Sequence, residues 1–458
     1  MRITKFILPL LLIASAAAAA TSIPPLQYKH RVLPNGLAVY SVQDRSTPTV
    51  AIHVWYRVGS KHDPEGRSGF AHLFEHIMFK STKNMPSEMM DRLTEDVGGF
   101  NNATTFDDAT AYYEVVPSNY LETLLWAEAE RLGSLTVDDT SFKSERDVVK
   151  EEYRFRILAP PYGRLFYALA TNSVTKHPYR RPGIGSIEDL DAATIEDVQS
   201  FHKTFYRPDN AVLIVVGDFE QQQLDGWIDK YFTTIPKPDI ALPTIPKDEP
   251  ARTAEKRIIE YAPNVPLPAV GLTWLTPPAV HADAVPLMVA ATLLTEGESS
   301  RLYEKLVRGE IAQEVFADGD PREDFSVFGI VAIMGSEHEP AAAEKVIRAE
   351  VAAMAEKPVP AAELEKAKNL IVTSALRERE TNNGKGFILG EALILQHDAG
   401  VVNSGLAQVQ AVTPADVQRV VRKYLVEGKA MVLTYLDEAK KPGAASPQPG
   451  AGTTGGAR

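Results

Sequence analysis

The chain has 458 residues, 48 Lys plus Arg against 60 Asp plus Glu, a formal charge of −12 and no cysteine. An acidic chain without a basic run argues against nucleic-acid binding, which rests on Lys and Arg neutralising phosphates. The lack of thiols excludes disulfides, cysteine-held metals, iron–sulfur clusters and a thiol nucleophile, so any metal must be held by His and carboxylates. At 44% hydrophobic and 24% charged residues, the composition is globular, and the length suits more than one domain.

Arg2 and Lys5, the apolar run at 6–13 (FILPLLLI) and the small residues at 15–20 (SAAAAA) have the pattern of a signal peptide, residues 1–20, cleaved near residue 20. The run is too short to span a bilayer. The mature chain is therefore expected to be exported, periplasmic or secreted, without stable membrane insertion. Pro34-Asn35-Gly36 signals a hairpin turn. Residues 49–58 (TVAIHVWYRV) read as a strand and 69–79 as a helix. Residues 141–155 (SFKSERDVVKEEYRF) read as a second helix. A proline-rich stretch at 235–252 reads as an extended linker. Beyond it, 269–275 (AVGLTWL) reads as a strand and 284–294 as a helix. Residues 438–458, rich in Pro, Gly, Ala and Thr, have little to bury and read as a disordered tail.

The chain repeats itself. At a constant offset of 219, Thr194, Asp197, Val198, Gln199, Ala211 and Asp218 match Thr413, Asp416, Val417, Gln418, Ala430 and Asp437. Both segments read as a Thr-capped helix followed by a buried strand. This predicts a tandem duplication: two homologous α+β domains, 27–234 and 253–437, each a mostly antiparallel sheet packed with helices.

The chemistry lies in the first half. His72-Leu-Phe-Glu75-His76 places two imidazoles four apart on one helical face, where they can share a metal ion. Glu75 lies at the edge of that face, within reach of a water held at the metal. This His-x-x-Glu-His order is the inverzincin motif. A catalytic zinc needs a third protein ligand. On the helix at 141–155, at about 100° per residue, Glu145 lies about 20° from Glu152, with Val148, Val149 and Phe155 within about 60°. Two carboxylates on an apolar face are costly unless they pair with buried cations or bind metal. Glu152 is the candidate third ligand, and Glu145 a group that orients a ligand or the water. None of the other eight histidines stands at ligand spacing.

These motifs resemble those of the pitrilysin/insulysin zinc peptidases, the family that includes the mitochondrial processing peptidases. His72-Leu-Phe-Glu75-His76 matches the metal motif, and residues 145–152 (ERDVVKEE) match the downstream segment. Residues 98–113 (GGFNNATTFDDATAYY) look like the family's edge strand. The resemblance implies one Zn²⁺ per chain on His72, His76 and Glu152, with Glu75 as the base that activates the zinc-bound water and Glu145 as a helper in catalysis. It implies a half clamshell and a peptide substrate laid as an added strand near Asn102, Ala103 and Thr104. Active members supply an Arg and a Tyr, seven residues apart, from the domains opposite the zinc. In residues 306–315 the Tyr position is Gln313, and no such pair is found. The expected partner is therefore a second family chain that lacks the zinc motif and supplies Arg and Tyr in a heterodimer, with a homodimer as the alternative. The expected function is a zinc metalloendopeptidase of short or unfolded peptides. The alternatives are a non-catalytic assembly subunit of the family or a metal-dependent hydrolase of a non-peptide substrate.

Overall fold

The computed structural model describes residues 24–443. The leader at 1–20 and residues 444–458 of the tail lie outside the described residues. Leu33, Asn35 and Gly36 turn the chain between β1 (Lys29–Val32) and β2 (Ala38–Gln43), and Gly36 takes the left-handed φ of +92° that this turn requires. β3 (Thr49–Tyr56), β4 (Phe100–Thr105), β5 (Thr110–Pro117) and β6 (Ala211–Gly217) complete a six-stranded sheet in the order β1-β2-β6-β3-β5-β4. The second sheet contains β7 (Lys256–Ala262), β8 (Ala269–Thr276), β9 (Ala312–Asp318), β10 (Ser326–Met334) and β11 (Met431–Asp437), in the order β7-β11-β8-β10-β9. With β1 set aside, the two orders are the same. Each sheet is antiparallel except for one parallel pair, β2 with β6 and β7 with β11.

The duplicated helices carry the same cap. Thr194 accepts from Asp197 N and Thr413 from Asp416 N, both at 3.2 Å. In each case the Asp side chain returns to the Thr backbone to close a capping box. The strands that follow, β6 and β11, form the parallel pair of each sheet.

The two halves exchange helices. Helix Gly163–Ser173 belongs by sequence to the first half, yet it buries Leu165, Ala168 and Leu169 against Ala269, Val331 and Leu433 of the second sheet. Helix Asn382–Leu395 buries Leu389, Ala392 and Leu393 against Ala51, Trp55, Ala111 and Ile214 of the first. The duplication offset carries Gly163 onto Asn382, since 163 + 219 = 382, so the exchange follows the internal repeat. β3 is consequently buried on both faces. Val50, Ile52 and Val54 face the first half's own helices, and Ala51 and Trp55 face the borrowed one.

Glycines allow this close approach. A Cβ at Gly390 would lie 2.0 Å from Trp55 Cε2, and one at Gly271 2.6 Å from a Leu169 methyl. Helix propensity favours Ala over Gly by about 1 kcal/mol, yet Gly390→Ala is expected to destabilise the protein by about 1–3 kcal/mol through overpacking. Gly226, inside helix Gln221–Phe232, has open space where its Cβ would be. Gly226→Ala is expected to stabilise by about 0.5–1 kcal/mol. Denaturant unfolding of both variants checks the pair, and a Gly390→Ala variant as stable as wild type would refute the close-approach account.

The stretch at 235–252 has neither helix nor strand, and side chains tie it to both halves, Arg252 donating to the Thr273 carbonyl of the second at 2.7 Å. Arg207 donates to the carbonyls of Pro238 and Ile240 at 2.8 and 2.7 Å. The Glu249 carboxylate accepts from the backbone N–H groups of Thr175, Lys176 and His177, each at 2.8 Å. Past β11, Asp437 caps a turn at Glu438–Lys440. Residues 438–440 therefore correct the expectation of a disordered tail from 438 onward.

Candidate metal centre

Helix Phe70–Ile77 lies between helix Asp139–Tyr153 and the edge strand β4. Its start is fixed by Asp63, a buried carboxylate that accepts from Gly69 N at 2.7 Å and Ala71 N at 2.9 Å, two donors that the helix leaves unpaired. Burial pushes the Asp63 carboxyl up to about 7 against these bonds. Gly69 has φ +94°, and its Cβ would sit 2.9 Å from the Ile184 carbonyl. Gly185, which crosses it, would place a Cβ 2.3 Å from the Ser68 carbonyl. The Gly183-Ile-Gly185 segment thus serves a tight crossing of two backbones under the helix.

The three candidate ligands converge. His72 Nε2 and His76 Nε2 lie 3.6 and 3.2 Å from Glu152 Oε2. One donor atom from each of the three falls within 4.8 Å of the others, and no other His, Asp and Glu group does so among the described residues. Burial pushes His72 down to about 4, leaving the neutral imidazole that binds metals. Burial also pulls on His76, but the Glu145 and Glu152 carboxylates outweigh it and hold that ring up to about 9. The donor set fits zinc: two imidazoles and one carboxylate, with an open side. At the same 219 offset, the second half carries Ala291, Leu294, Thr295 and Ile371 in place of His72, Glu75, His76 and Glu152. It offers no donor at those positions.

Glu145 Oε2 lies 3.6 Å from His76 Nδ1, and its other oxygen lies 3.0 Å from Lys80 Nζ. Glu152 has the same division, with Oε1 at 2.9 Å from Arg156 Nε. Each carboxylate thus has a cation on one oxygen and a metal-motif histidine on the other. Although burial opposes it, these partners hold both carboxyls below the usual range. Glu75 stands apart from the ligand cluster. Its Oε2 accepts from Thr105 Oγ1 at 2.6 Å, and burial raises its carboxyl.

Glu75, Glu145 and the three candidate ligands line one open cleft of about 510 Å³, together with Asn102, Ala103 and Thr104. β4 is an edge strand, bonded to β5 on one side and, among the described residues, to no strand on the other. Lys80, Thr105 and Arg156 line the same cleft and were not singled out in the sequence. The signal for Arg156 was its spacing, four residues after Glu152 on one helix. Thr105 had no such signal. The expectation that Val148 and Phe155 share a buried face is corrected: they are 46% and 76% exposed. Val149 takes the packed side alone, because the helix lies on its neighbours by its Phe142, Glu145 and Val149 edge.

Two sheets of one topology with helices packed against them, and a cleft at the edge of the first, are the architecture of the clamshell peptidases. Within that class, the chain belongs to the M16 family, the insulinase- or pitrilysin-like peptidases. The family description "Insulinase (Peptidase family M16)" matches residues 38–173, and "Peptidase M16 inactive domain" matches residues 192–371. The chain is 31% identical over 418 residues to the zinc protease PqqE of Helicobacter pylori, covering 91% of this chain and 94% of that one. It is 24% identical over 409 residues to the "Probable mitochondrial-processing peptidase subunit beta" of Arabidopsis thaliana, 86% and 76% of the two chains. The crystal structure of a protease from Helicobacter pylori superposes with a TM-score of 0.87 at 30% identity, over 90% of this chain and all of that one.

Proposed function

We propose that the chain is a zinc metalloendopeptidase acting on short or unfolded peptides, and that it is the zinc-bearing member of a pair of chains. The observation that carries this is the convergence of His72, His76, Glu152, Glu75 and Glu145 in one open cleft walled by the unpaired edge of β4. The PqqE relative, named a zinc protease, supports the metal and the reaction. The processing-peptidase relative, named a subunit, supports a partner. The leader pattern at residues 1–20 supports action outside the cytoplasm.

His72, His76 and Glu152 would hold the zinc. When bound, the zinc supplies a Lewis acid that acidifies water and polarises the scissile carbonyl. An extended peptide adds to the free side of β4 by backbone hydrogen bonds, which tolerate many sequences. Glu75 takes the proton of the attacking water and delivers it to the departing amine. Glu145 steadies the His76 ring through Nδ1, and Lys80 and Arg156 offset the carboxylate charge gathered in the cleft.

Metal analysis and digestion of an unfolded peptide mixture test this reading. The purified chain is expected to hold one zinc, and its active assembly to lose cleavage on chelation and to regain it with zinc. The His72→Ala/His76→Ala chain is expected to hold no stoichiometric zinc, and retention of one zinc per chain by that variant would remove the assignment. A wild-type chain that holds zinc and cleaves nothing in any assembly state would remove the peptidase reading.

A further inference from the structure

The hydrogen bond from Thr105 to Glu75 places the last residue of the edge strand on the candidate base. Thr105 is followed by the turn 106–109, which leads into β5. That turn is gripped from the second half. Arg322 Nη1 lies 3.1 Å from Asp107 Oδ2, and the Glu323 backbone N–H donates to Asp108 Oδ2 at 3.0 Å. Asp108 is 3% exposed, and Arg322 is half-buried. A charge-assisted contact of this kind is stronger than a neutral hydrogen bond and fixes direction as well as distance. The loop at 320–324 therefore reaches across the junction of the two halves and holds the segment that carries Thr105. Thr105 thus holds one oxygen of a carboxylate that lines the cleft.

We propose that Thr105 is a positioning residue for Glu75, and that the second half holds Thr105 in place through Arg322 on Asp107 and Glu323 on Asp108. This rests on the peptidase reading above. It gives the half without metal donors a part in the reaction. The edge strand receives the substrate and orients the base, so strand addition and proton abstraction share one rigid element. A misplacement of about 1 Å at such a group costs on the order of a hundredfold in rate.

The test compares wild type, Thr105→Val, Thr105→Ser, Asp107→Asn and the Thr105→Val/Asp107→Asn pair on one unfolded peptide substrate. kcat and KM are read separately, and zinc content and a crystal structure are determined for each. Thr105→Val is expected to lower kcat about tenfold to a hundredfold with zinc retained, and Thr105→Ser to restore it. In the crystal, Glu75 keeps its bond to residue 105 in wild type and in the Ser variant and turns away in the Val variant. Asp107→Asn is expected to lower kcat alone and to add nothing in the Thr105→Val background, because both act through one carboxylate. A Val variant with wild-type kcat, a Ser variant as poor as Val, or multiplying effects in the pair would overturn the inference. If wild type cleaves no peptide in any assembly state, the peptidase reading fails, and the crystal structures still decide whether residue 105 holds Glu75.

Discussion

Glu75→Gln is expected to lower kcat by about 10²–10⁴-fold, the usual contribution of a positioned general base, while zinc stays at one per chain. The geometry separates the two outcomes. Glu75 precedes His76 by one residue, so it lies about 100° around the helix from that ligand, and its carboxylate is bonded to Thr105 rather than to the His72, His76 and Glu152 cluster. Glutamine keeps the volume and still accepts the Thr105 hydroxyl through its amide oxygen, so neither the helix nor the ligands have reason to move. It cannot take a proton from water. Steady-state cleavage of an unfolded peptide, run beside metal analysis and a thermal melt, checks all three quantities. Turnover within tenfold of wild type would mean that another group serves as base. Loss of the zinc would mean that Glu75 is itself a ligand.

Arg131→Met is expected to destabilise the fold by about 3–5 kcal/mol, the cost of breaking a buried ion pair by removing one partner. Arg131 is 1% exposed, and its guanidinium meets Glu114 at 2.7 Å and Glu128, two carboxylates at 0% exposure. It also lies over the rings of Phe79 and Tyr112, at 5.4 and 5.0 Å, just behind the C-terminal end of the metal helix. Burial, with Glu128 beside it, pushes the Glu114 carboxyl well above the carboxylate range. Burial opposes the charge on Arg131, but the two carboxylates hold the guanidinium firmly in its charged form. Methionine fills the volume and strands both acids. The sign of the pH effect follows. In the variant the folded state binds protons more tightly than the unfolded chain, so its stability rises as pH falls and its deficit against wild type shrinks from pH 8 toward pH 5. Denaturant unfolding at the two pH values checks this. An equal deficit at both would refute the stranded-acid account.

Much of the molecule was legible in the sequence because it depends on spacing along the chain. The offset of 219 between the two Thr-capped helices foretold two sheets of one topology, since the same local pattern folds the same way twice. Residues His72, Glu75 and His76 share a helical turn whatever surrounds them. Glu145 and Glu152 lie seven apart on a second helix, so their common face followed from the helical period. Tertiary structure decided what depends on contacts through space. It brought Thr105 to Glu75 across 30 residues of sequence and Arg322 of the second half to Asp107 of the first. It set the crossing helices on each other's sheets, which no local periodicity encodes. It left Val148 and Phe155 exposed, because an apolar stripe marks a face that can be buried, while the neighbours available decide how much of it is. The sequence by itself determined which groups could act together on a single element. Only the packing of elements remote in sequence decided what holds those groups in place, since the partners there are chosen by distance in the fold and not by order in the chain.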